Sequence, residues 1–167
     1  FTFICGPDDF LVTRLGKEHY EALCKEVEDE FSREIISGFA NNVADVEAAV
    51  NRFREAVQTL GLFGGKRVVW LKDINFLSDT VTGRAEGTLA QVGELLTIRE
   101  GVVAEEVGVI ITASPSDRRR SFPKWCEANG DFSLVGDTGR NSGHNWHALA
   151  EEECQKLEVS ISADALE

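Results

Sequence analysis

Apolar residues recur along the chain in two rhythms, one suited to buried strands and one to half-buried helices. Phe1 to Cys5 is a short apolar, β-prone run ending at Gly6-Pro7, which predicts a buried strand followed by a turn. Asp8 and Asp9 then open a helix. Its apolar positions Leu11, Leu15, Leu23 and Val27 are spaced in fours and eights, while Lys17, Glu18, Glu21 and Glu28 supply the wet face. From Val43 the period is cleanest: Val43, Val46, Val50, Phe53, Val57 and Leu60 follow in steps of three and four, one stripe of one helix.

Glu34 to Phe39, between these helices, reads as a strand. Val68 to Leu71 is apolar without period-two alternation, which fits a strand covered on both faces. A helix over Glu86 to Arg99 follows, then a buried strand at Val107 to Thr112 and a polar helix near Asp117 to Ala128. Asn129-Gly130 stops that helix, and Phe132 to Val135 makes a fifth strand. Alternating strands and helices predict an α/β domain with a largely parallel sheet over residues 1–135. Residues 136–145, rich in Gly and polar residues, read as a linker. Trp146, Leu149, Ala150 and Leu157 begin a helical segment over 146–167, too short for a core of its own and expected to open a truncated second domain.

Composition narrows the function. Seventeen Lys and Arg stand against 29 Asp and Glu, a net charge of −12 in 167 residues, which repels nucleic-acid phosphates over most of the surface. A stand-alone DNA or RNA binder is disfavoured. No apolar run approaches the roughly 20 residues a membrane helix needs, and no basic start precedes an apolar segment as in a secretion signal. The chain contains no Met, the initiator included, and so reads as trimmed. Cys5, Cys24, Cys126 and Cys154 are irregularly spaced, as reduced thiols in a cytosol are. His144, His147 and Cys154 lack a fourth ligand at a zinc-site spacing.

Four segments carry candidate chemistry. The turn from Gly6 to Thr13 stands where a P-loop would follow the first strand, but Leu11 and Val12 occupy the places of the second Gly and the Lys, and only Thr13 remains of the motif. Asp8 and Asp9 would oppose a nucleotide's charge. The two acids have two other readings: a helix N-cap, or, with Asp73 and Thr112, the acidic pocket of a phospho-accepting receiver domain, although no Lys follows the fifth strand. Leu62 and Phe63, flanked by Gly61 and Gly64, place two bulky apolar side chains in a connection, either as anchors for a partner or tucked under the sheet edge. Arg118, Arg119 and Arg120 form a dense basic cluster. On a helix they would fan around the axis, as a solvated start or as a contact for phosphate or an acidic partner.

Taken in order, Gly6-Pro7-Asp8-Asp9-Phe10-Leu11, Gly61-Leu62-Phe63-Gly64-Gly65-Lys66-Arg67-Val68-Val69, Val109-Ile110-Ile111 with Ser116-Asp117-Arg118-Arg119, and the Trp146 helix leading to Val159-Ser160-Ile161-Ser162 resemble the delta subunit of bacterial DNA polymerase III, the clamp-opening subunit of the clamp loader. The resemblance implies an AAA+-like (P-loop NTPase-like) α/β domain with a mostly parallel five-stranded sheet and a degenerate P-loop. It implies no active ATP site, no cofactor and no enzymatic activity by itself. A small helical domain would follow, and then a collar joining the delta prime and tau/gamma subunits; this chain looks like the first domain and the start of the second. The family's clamp-binding Leu-Phe pair carries over onto Leu62 and Phe63. The implied partner is the beta sliding clamp, with primed DNA met only within the complex, in the cytoplasm. The alternatives are an ATP-using loader ATPase of the same fold and the receiver domain.

Overall fold

Strand and helix alternate through Phe1–Gly136, one of two compact units, the other being Asp137–Glu167. The computed structural model describes residues 1–27, 29–59, 65–130, 132–136 and Cys154. The expected linker and helical segment therefore lie, Gly136 and Cys154 apart, outside the described residues, as do His144, His147, Leu62 and Phe63. The elements are β1 (Thr2–Cys5), α1 (Asp9–Cys24), β2 (Arg33–Ser37), α2 (Val43–Gln58), β3 (Arg67–Ile74), α3 (Val81–Arg84), α4 (Glu86–Glu100), β4 (Val107–Ala113), α5 (Ser121–Ala128) and β5 (Phe132–Leu134).

All five strands are parallel, in the order β2-β3-β4-β1-β5. The apolar runs lack alternation because both faces of the sheet are covered. Phe3, Cys5, Val69, Leu71, Val109 and Ile111 point into the larger core with residues of α2, α4 and α5. Their neighbours Ile4, Trp70 and Ile110 point the other way, against Val12, Leu15, Tyr20 and Leu23 of α1. The stripe on α2 buries Val46, Val50, Phe53 and Val57, with Ala49 and Ala56 filling the gaps. Asn42 caps this helix, its side chain accepting from the Asp45 N–H at 3.0 Å. Arg54 ties α2 to α4 through Glu94 at 2.8 Å.

Gly16 explains how closely α1 approaches the sheet. A Cβ there would lie 2.6 Å from Thr112 Cγ2 and 2.8 Å from Trp70 Cζ2, inside van der Waals contact.

Two local expectations are corrected. The helix expected from Asp117 begins only at Ser121. Pro123 sits comfortably in the first turn of a helix starting there, whereas in a helix from Asp117 its ring would clash with the carbonyl of Arg119. Asp117 instead folds a turn by accepting the Arg119 N–H at 3.0 Å. A short helix, α3, also fills the β3–α4 connection, capped by Thr80, whose hydroxyl accepts the Gly83 N–H at 3.1 Å. Four residues are too few for a readable period.

Candidate functional site

The parallel sheet presents two rims, one where its strands end and one where they begin. At the edge where strands end, β1 passes through Gly6, Pro7 and Asp8 directly into α1. Asp8 is the N-cap, its carboxylate accepting the Leu11 N–H at 3.0 Å. An acid thus occupies the helix start that would face phosphate in a working P-loop. Leu11 and Val12, standing where the second Gly and the Lys would be, are buried against the sheet, and Thr13 is half-buried on α1. Gly6 has a packing role: a Cβ would fall 2.0 Å from the Val135 carbonyl oxygen. Val135 N–H donates to the Cys5 carbonyl at 2.9 Å, and Gly136, at φ +69°, lies close over Asp8.

The sheet order corrects the receiver reading. A receiver sheet runs 2-1-3-4-5, with the first and third strands adjacent. Here β4 separates β1 from β3, so the strand ends bearing Asp8 and Asp73 stand about two strand spacings, ~10 Å, apart. Thr112 is buried and committed to structure. Its hydroxyl oxygen accepts the Trp70 indole N–H at 3.1 Å and the Asp73 N–H at 3.2 Å. Asp73 itself has φ 62°, a left-handed conformation at the irregularity where β3 parts from β4. Its carboxylate lies 3.3 Å from Lys72 Nζ.

At the opposite edge, where strands begin, α2 ends at Gln58 and β3 starts at Arg67. Leu62 and Phe63 fall in this connection, outside the described residues, but both of its ends are firmly held. Thr59 caps α2, its N–H and hydroxyl both donating to the Glu55 carbonyl at 3.0 and 2.7 Å. Lys66 pairs with Glu26 at 2.6 Å, and the Arg67 N–H donates to the Glu106 carbonyl at 2.8 Å. The Arg67 guanidinium pairs at 2.6 Å with Glu34, which also holds Arg52 of α2 at 2.8 Å. Glu34 was not singled out from the sequence, because its partners lie 18 and 33 residues away. A cleft of about 430 Å³ opens at this edge between the ends of α2 and α4, lined by Val57, Ile98, Val102 and Val107 among others.

The three arginines diverge, though from a turn rather than a helix. Arg118 pairs with Glu127 at 2.7 Å and stacks over Phe132. Arg119 grips Asp117 with two N–H donors at 2.9 and 2.8 Å. These bonds and the Arg119 backbone N–H hold the Asp117 carboxyl down at about 2. Arg120 turns to the Gly83 carbonyl beside α3. Among the described residues no cluster of His, Cys, Asp and Glu could hold a metal ion, and no helix is long and apolar enough to cross a membrane.

A five-stranded parallel sheet in this order, with a turn and helix at the P-loop position, defines a P-loop NTPase-like α/β domain with an altered phosphate loop. The family model for DNA polymerase III, delta subunit, matches residues 3–128, and the chain belongs to that family as its N-terminal part. The family is one of replication clamp-loader components. No curated protein matches the chain.

Proposed function

We propose that this chain is the clamp-engaging domain of a clamp-loader delta subunit, using Leu62 and Phe63 to anchor the beta sliding clamp and favour its open or strained ring. Family membership is the observation that carries the reading. Supporting it, the ends of the connection that carries the pair are fixed by Thr59, Lys66 and Arg67. A rigid mount limits the ordering cost of binding. The work is mechanical: a partner opens a ring only by binding the open state more tightly than the closed one. ATP use falls to sibling subunits, and primed DNA is met within that assembly. An acidic surface suits a protein partner better than DNA held alone.

The test is clamp affinity by surface plasmon resonance beside thermal melts for the wild type and Leu62→Ala/Phe63→Ala. Burying the two side chains is worth roughly 3–6 kcal/mol, so the double variant loses about 10²–10⁴-fold in affinity while melting close to wild type. A well-folded double variant that binds the clamp as tightly as wild type overturns the assignment.

A further inference from the structure

A second cleft, of about 480 Å³, opens at the edge where strands end, lined by Arg84, Leu89, Val92, Arg120 and Ser121. We propose that it is a docking site for an acidic peptide segment of a protein partner that carries an apolar side chain.

The cleft joins two chemistries. Arg84, exposed in the last turn of α3, has only a loose pairing at 3.6 Å with Asp79. Arg120 spends one guanidinium N–H on the Gly83 carbonyl, feels the Asp117 carboxylate at longer range, and makes no ion pair with a carboxylate among the described residues. Beside them α5 begins without a side-chain cap, and among the described residues the Ser121 and Phe122 N–H groups find no acceptor. Two cations and an open helix start make a local anion site on a chain of net charge −12. The remaining wall is aliphatic. Leu89 is half exposed on α4, with Val92 one turn further along.

The composition favours a peptide over a nucleic acid. Among the described residues no aromatic side chain lines the cleft, so bases have nothing there to stack on. The cleft lies at the opposite edge of the sheet from Thr59 and Lys66, so its occupancy and the clamp binding proposed above are separable.

The test is fluorescence polarisation on the 167-residue chain with a labelled peptide of alternating Glu and Leu. A Lys and Leu counterpart and a single-stranded oligothymidylate serve as comparisons. The Glu-Leu peptide binds, the Lys-Leu peptide does not, and Arg84→Glu weakens binding by about 10–100-fold, the loss of one charge-assisted contact. Leu89→Ser, at an exposed position, weakens it as well while leaving the melting temperature unchanged. Oligothymidylate binding as tightly as the peptide, no binding of the Glu-Leu peptide, or affinity unchanged in both well-folded variants overturns the proposal.

Discussion

The Trp70 indole N–H donates to Thr112 Oγ1 at 3.1 Å, joining β3 to β4 beneath α1, and the same oxygen accepts the Asp73 N–H at 3.2 Å. One buried hydroxyl therefore satisfies two donors at the strand ends. Thr112→Val keeps the shape and removes the acceptor, leaving both donors unpaired, at a cost of about 2–4 kcal/mol. Urea unfolding followed by tryptophan fluorescence measures it, and a midpoint unchanged from wild type would show that neither bond matters to stability.

Gly16 sits directly above that pair. By helix propensity alone Gly16→Ala would stabilise α1 by about 1 kcal/mol. The added methyl has no room between Trp70 and Thr112, and overpacking of this kind costs about 1–3 kcal/mol. The expected outcome is a lower melting temperature, whereas Gly93→Ala, whose Cβ meets nothing within 4 Å, raises it.

The alkaline limb of stability follows from a buried thiol and a partly buried phenol. Burial pushes the Cys5 thiol up to about 11, and burial beside Cys24 pushes the Tyr20 hydroxyl to about 12. In the unfolded chain both ionise earlier, near 9 and 10. The unfolded state then binds fewer protons, so stability present below the ordinary thiol pKa is lost as pH rises through the folded one. Cys5 contributes about 2–3 kcal/mol of that loss. Cys5→Ala flattens the first part of the decline in urea midpoints; an unchanged slope would show that the thiol is not its source.

At the altered phosphate loop, calorimetric titration with Mg²⁺ and ATP is expected to be flat. Asp8 holds the helix start, and neither Leu11 nor Val12 can ligate phosphate. A saturable micromolar isotherm would favour the ATP-using loader ATPase.

Much of this molecule is written in short-range pattern. The stripe from Val46 to Val57 fixes α2, and the unbroken run at Val68 to Leu71 requires two covers, because each needs only the period of its own element. The departure from the P-loop motif is equally local, since Leu11 and Val12 are read in place. The strand order is not local. Nothing in the alternation of elements says that β4 lies between β1 and β3, and that one fact separates Asp8 from Asp73 and removes the receiver reading. Sequence places Arg118, Arg119 and Arg120 side by side. Pro123 and the Asp117 turn send them to three different partners, and α3 brings Arg84 to the cleft beside Arg120. Periodicity is a property of one element, whereas a sheet order, a shared acceptor such as Thr112 or a bridge such as Glu34 depends on which elements meet.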